Sequence, residues 1–340
     1  ISVIRLMLPH IDQQRDSIEI WLSEITNRPV QIGEVRASWK GWAPTIDVSN
    51  LVLFGAARKT ELVRFDYAAI EISIFTSLWQ QHLVPRRLLV GGMRVALERD
   101  VNGQISIAGL PPSRWPVAQW LLEQQNFALR DADISFTDAM SDSAPMHFTD
   151  VTVAITHDGG QQLITGGVRR DSGANEQYLF ELRTAGDMLT SNWDGDLFLD
   201  IRNAQVGATL ALSGLTENQI AGGQLNAKIW SRWEGASLQR ATIELEGSGL
   251  KIAGQNSTIV DAIDARGVAV RHPDGWSLAL DQLRFESAHE AASESTASIR
   301  WRDRGDFQLG YLAISSDAGT FANRLSVLRN VDSPSFRPSL

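Results

Sequence analysis

A chain of 340 residues with 43% apolar side chains can bury the core of one large β domain or two smaller ones, so it is not disordered as a whole. The formal net charge of −9, with Lys and Arg scattered among acids and with basic residues adjacent only in pairs such as Arg86 with Arg87 and Arg169 with Arg170, excludes a nucleic-acid binder, since neutralising phosphates takes a concentrated basic face. Cysteine is absent, which excludes disulfides and thiolate metal sites and leaves the compartment open.

Residues 1–8 are apolar apart from Ser2 and Arg5, far short of the roughly 20 apolar residues that a spanning helix needs. They read as an irregular start or as the cut end of a membrane anchor, and no secretory signal is present. Residues 9–29 form an expected amphipathic helix, with Ile11, Ile18, Trp21, Leu22 and Ile25 on one stripe and Pro29 as its stop. Two strands follow, carried by Val30, Ile32, Val35 and Ala37 and by Ile46, Val48, Leu51 and Leu53, with Gly33 shifting the phase of the first. Between them Trp39, Gly41, Trp42 and Pro44 make a hairpin flanked by two indoles.

Ile70, Ile72 and Ile74 alternate with Glu71 and Ser73 as a half-buried strand, and a short helical turn is expected over residues 76–82. Residues 88–98 are the next strand, with Met93, Val95 and Leu97 on one face; Asn102 and Gly103 turn the chain, and Ile105 and Ile107 return. Residues 113–126 break the rhythm as a short helix, capped by Ser113, whose Trp115, Trp120 and Leu121 plug the end of a core more readily than they form a membrane-surface patch. Alternation then resumes at Phe127 and Leu129, Ile134 and Phe136, and Val151, Val153 and Ile155.

Further strands are expected at residues 178–183, 197–201, 208–212, 225–230, 242–245 and 250–253, with Gly159–Gly160, Asp194–Gly195 and Gly222–Gly223 as turn signals. His272, Pro273, Asp274 and Gly275 turn the chain from Val268 and Val270 to Trp276, Leu278 and Leu280, and Leu283, Phe285, Ile299, Trp301, Phe307 and Leu309 extend the series. A third helix is expected around Phe321, Leu325 and Leu328, and residues 332–340 read as a loose tail. Short strands with tight connections predict a mainly β fold: a long, twisted antiparallel sheet over residues 30–331, interrupted near 113–126.

Chemistry is sparse. The six histidines are far apart, and none forms a helical pair at zinc spacing. Asp131, Asp133, Asp138 and Asp142 lack the calcium-loop pattern and suit a solvated sheet face. No nucleophile elbow, phosphate loop or dinucleotide fingerprint occurs, and the eleven tryptophans take core or rim positions in preference to sugar-stacking ones. No enzyme, metal or cofactor is expected.

The run Leu8, Pro9, Ile11, Asp12, then Trp21 and Leu22, Pro29, Val30, Ile32 and Gly33, then Ala37, Trp39, Gly41, Trp42, Pro44 and Thr45 resembles the opening of the periplasmic part of YhdP-type proteins in the AsmA-like superfamily. TamB-type proteins are more distant relatives. The similarity is dense to about Asp138 and later is echoed by Asp274, Gly275 and Trp276. It implies an inner-membrane anchor upstream, a periplasmic location, and a β-groove that moves phospholipid toward the outer membrane; it brings no catalytic residues.

One apolar face on each strand, with only about three short helices to cover it, leaves two architectures. Either a second sheet closes a sandwich that serves as a binding or scaffolding module for outer-membrane assembly, or the sheet curls into an open trough whose apolar face is covered by lipid tails. The resemblance favours the trough. Its expected lipid-binding lining is Ile70, Ile72, Ile74, Val95, Leu97, Ile134, Phe136, Val153, Ile155, Leu197 and Leu199, with phospholipid, the inner membrane and envelope proteins as partners.

Overall fold

Long runs of alternating apolar and polar residues have little alternative to a pleated strand, and the chain is mainly β. The computed structural model describes residues 15–16, 19–20, 23, 28–40, 43–55, 60–80, 84–101, 104–108, 126–139, 145–171, 175–188, 190, 192–206, 220–252, 258–287, 290–302 and 307–314. Outside them lie the expected helix over 113–126, except for Asn126, which is the first residue of a strand, the strand at 208–212, the third helix, the tail, residues 1–8 and the apolar stripe of the N-terminal helix. Two compact units divide the chain, residues 1–172 and 173–340.

In the first unit the strands are β1 (Val30–Gln31), β2 (Glu34–Lys40), β3 (Ala43–Phe54), β4 (Glu61–Ile72), β5 (Pro85–Gly91), β6 (Arg94–Arg99), β7 (Ile105–Ile107), β8 (Asn126–Asp138), β9 (Met146–Asp158) and β10 (Gln161–Arg170), with helix α1 (Ile74–Gln80) between β4 and β5. Antiparallel pairing runs β2–β3–β4–β5 and β8–β9–β10. The expected meander is broken once: β8 lies parallel to both β5 and β6, with Leu88 opposite Phe127 and Val95 opposite Ile134. Side-chain alternation has a period of two whichever way a strand runs, so this direction left no mark on the pattern.

Ile74 belongs to α1 and not to the strand expected to contain it. Ser73 explains the switch: its hydroxyl and that of Thr76 are 2.8 Å apart, and its carbonyl accepts the Ser77 N–H at 2.9 Å, so it starts the helix as a cap. Upstream, Arg15, Asp16, Glu19, Ile20 and Ser23 are helical. That helix is tied to the break between β1 and β2, where Glu19 accepts the Ile32 N–H at 2.7 Å, Arg15 donates to the Gly33 carbonyl at 3.2 Å and Ser23 Oγ accepts the Val30 N–H at 2.9 Å.

The second unit is a pure antiparallel meander of β11 (Glu176–Asp187), β12 (Asn192–Gln205), β13 (Ile220–Glu234), β14 (Ser237–Ile252), β15 (Thr258–His272), β16 (Gly275–Ser287), β17 (Glu290–Arg302) and β18 (Phe307–Ile314), each paired with the next. Asp194–Gly195 and Gly222–Gly223 fall inside β12 and β13 rather than at turns, and the two strands expected at 242–245 and 250–253 are parts of β14.

Both units share one irregularity. Asn50, Asp131 and Asp150 adopt φ near +50°, as does Gly92 at +62° between β5 and β6; in the second unit Asn203 and Gly249 do the same, and Gly223 has φ of +111°. Asn and Asp tolerate this left-handed region better than other side chains with a Cβ. Neighbouring strands break at one level: the Gly33 N–H reaches the Ser49 and Asn50 carbonyls, and the Gly92 N–H reaches the Arg130 carbonyl at 3.0 Å. Each break returns the apolar residues to the same face. Ile46 and Val48 before Asn50 therefore pack in one cluster with Leu51 and Leu53 after it.

Candidate functional site: an apolar sheet face in each unit

Residues opposite one another in a strand pair point to the same side of the sheet, so register traces a face across a unit. In the first unit one row runs Ala37, Ile46, Ile70, Leu88, Phe127, Ile155 and Ile164. The next runs Val35, Val48, Ala68, Val90, Leu129 and Val153. Beyond the level of breaks, Val63, Val95 and Ile134 are register partners, as are Leu97 and Phe136. Ile70, Val95, Leu97, Ile134, Phe136, Val153 and Ile155 are thus placed in adjoining rows of one sheet, Ile72 closes β4 beside them, and Ile74 sits in α1. Leu88, Phe127, Ile155 and Ile164 are only 5–8% exposed.

At the far end of β6 and β8 a charge pair closes these rows. Arg99 and Asp138 are register partners; Arg99 Nε donates to Asp138 Oδ1 at 2.9 Å, and its Nη2 donates to the other carboxylate oxygen. The two side chains are 17% and 1% exposed, and the hydrogen bond that Arg99 donates to Asp138 raises Arg99 above its ordinary pKa. Asp138 is therefore a buried ion-pair partner and not a member of a solvated acidic face, whereas Asp131 and Asp133 are exposed.

In the second unit a single row crosses all eight strands: Phe180, Leu199, Ile229, Ile243, Gly267, Leu280, Ala297 and Leu312. Leu182, Leu197, Ser231, Ala241, Ala269, Leu278 and Ile299 flank it on one side. Leu197 and Leu199 are thus neighbours on the face of the second unit. Phe180, Leu197, Leu199, Ile229, Ile243, Leu278 and Leu280 are all only half-buried. Ser231, the polar member, is spanned: the Trp233 indole N–H donates to its Oγ at 3.0 Å, and its hydroxyl lies 3.4 Å from the Leu197 carbonyl. Trp233 in turn stacks on Trp193 with ring centroids 5.8 Å apart.

The reverse side of the second unit is charged. Arg183–Glu181, Arg202–Asp200, Arg232–Asp196 and Arg266–Glu244 pair on it at 2.6–3.4 Å, and the hydrogen bonds donated to Asp200 and Asp196 raise Arg202 and Arg232. Of these, Arg183–Glu181, Arg232–Asp196 and Arg266–Glu244 are exposed and add little to stability, whereas the Asp200 carboxylate is only 9% exposed. The same side also carries the Phe198–Trp230 ring pair, with centroids 5.2 Å apart. The row Phe180 to Leu312 outruns the expected lining, which stopped at Leu199; the same alternation in β13 to β18 carried the signal for Ile229, Ile243 and Leu280.

Among the described residues no group of three or more His, Asp or Glu is placed to hold a metal ion. No helix among them is long and apolar enough to cross a membrane. A family model described as YhdP protein matches residues 1–331 of the chain. No curated relative and no solved structure matches it.

Proposed function

The chain belongs to the YhdP protein family, an AsmA-like family associated with the cell envelope, and from that premise we propose that its apolar β face carries phospholipid between the inner and outer membranes. The observation that carries this reading is the eight-strand row of the second unit, apolar from Phe180 to Leu312, in which Phe180, Leu199, Ile229, Ile243 and Leu280 are only half-buried. In a closed sandwich such central positions are fully buried. A face of this kind has an unmet demand for apolar cover, and an acyl chain has the same demand: at about 0.8 kcal/mol per methylene, a chain left in water costs on the order of 10 kcal/mol. A trough that meets both removes most of the barrier to transfer.

In this reading the protein is not an enzyme and needs no cofactor. It works in the periplasm, held to the inner membrane by an anchor outside this sequence, with phospholipid and envelope proteins as partners. The scaffolding alternative draws on one observation, the 5–8% exposure of Leu88, Phe127, Ile155 and Ile164, which is core-like. Lipid content separates the two. Chain purified without detergent should yield about one or more phospholipids per molecule on extraction and mass spectrometry, as an apolar face of this size requires. Lipid-free chain with an unchanged fold would leave the scaffolding reading in possession.

A further inference from the structure

α1 contributes nothing to the described strand rows. It closes the connection from β4 to β5, where the Ser73 N–H donates to the Val84 carbonyl and the Val84 N–H donates to Ser77 Oγ, each at 2.9 Å. The helix therefore has a fixed seat, yet Phe75 and Trp79 are 86% and 89% exposed, the most exposed large apolar side chains among the described residues. Four residues apart, they stand on one side of the helix. Residues 73–85 contain no Asp or Glu, although the chain as a whole carries −9, and they lead directly into Arg86 and Arg87, which are both exposed.

Two aromatic side chains held at the surface on an acid-free stretch, next in sequence to a basic pair of which Arg86 contacts Glu71 at 3.5 Å and Arg87 adds a second exposed cation, match one class of partner by charge. A second copy of this acidic chain would bring excess negative charge but no phase for the rings to enter, and a helix of two turns is too short to fill a protein groove. We propose that α1 docks on the surface of an anionic bilayer, with Phe75 and Trp79 entering the interface and Arg86 and Arg87 meeting lipid phosphates. That contact would hold the first unit against the membrane.

The 340-residue chain, mixed with vesicles of phosphatidylethanolamine and phosphatidylglycerol, should sediment with them and do so far less with phosphatidylcholine vesicles. Phe75→Ser with Trp79→Ser should weaken binding about tenfold, since both rings leave the interface. Arg86→Gln with Arg87→Gln, or added salt, should weaken it several-fold through the lost phosphate attraction. Because the chain has no cysteine, an NBD probe at Gln80→Cys is uniquely placed and should shift to shorter wavelength on the same vesicles without removing either ring. Absence of binding by the parent chain, or equal binding by the Phe75/Trp79 variant, overturns the proposal. So does a variant that loses self-association while keeping vesicle binding, which would make a second copy the occupant. Vesicle docking and lipid carriage fail separately: a chain that extracts with bound phospholipid but ignores vesicles refutes the docking surface alone.

Discussion

Ile243→Asp should abolish envelope function in a complementation assay while leaving the chain folded. Ile243 sits mid-row between Ile229 and Gly267 on β14, at the centre of the second unit's apolar face. Lipid tails moving along that row would have to pass a carboxylate, either stripping its water or crossing a hydrated gap, and each costs several kcal/mol or more. The protein itself feels the change less. Ile243 is half-buried, so the new carboxylate keeps access to solvent and the stability loss should be about 1–2 kcal/mol, visible as a modest fall in the urea midpoint. Ile155→Asp makes the contrast: at 5% exposure the same change should cost roughly twice as much stability. Normal complementation by a folded Ile243→Asp protein would remove the second unit from the lipid path.

Asp138→Ala should be the most damaging single change for the first unit. It removes the carboxylate that takes two hydrogen bonds from Arg99 and leaves the guanidinium, 17% exposed, beside Leu97 and Phe136 at the end of the apolar rows. Breaking one side of a buried pair typically costs about 3–5 kcal/mol, most of it the desolvated charge that stays behind. Arg99→Met with Asp138→Leu removes both charges and should recover most of that loss, because the apolar surroundings then match the side chains. Urea unfolding of the three proteins checks the order, single variant well below the parent and double variant close to it. A single variant as stable as the parent would mean that the pair is solvated.

Strand positions were legible because nothing but a sheet uses a two-residue period, and the face was legible for the same reason: Ile70, Val95, Ile134, Phe136, Val153 and Ile155 fall in adjoining rows of one sheet. The breaks were half legible. Phe127 and Leu129 are odd-numbered and Ala132, Ile134 and Phe136 even-numbered, and the switch falls at Asp131 with φ of 52°. Ile46 and Val48 change to Leu51 and Leu53 across Asn50 in the same way. The sequence reading assigns such breaks to glycines, Gly33 and the pairs Gly91–Gly92 and Gly247–Gly249, because Gly is the expected carrier and Asn and Asp look like ordinary polar positions.

Glycine pairs misled for a related reason. Gly222–Gly223 and Asp194–Gly195 carry the chemistry of a turn, but partner strands continue past both, and only register distinguishes a bulge from a reversal. The parallel seating of β8 beside β5 and β6 and the start of α1 at Ile74 are tertiary outcomes. The first is silent in a period-two pattern. The second was announced by Ser73, whose capping role the run of isoleucines obscured.

Photocrosslinking, one position at a time in cells, tests lipid carriage by the apolar face most directly. A benzophenone side chain at Ile70, Phe136, Leu199, Ile243 or Leu280 should capture phospholipid, because each lies on the apolar side of its sheet. The same group at Arg94, Lys228 or Arg266, which are exposed, should capture none. Capture at the first set and not the second is the result this account predicts; capture at neither set, or at both alike, contradicts it.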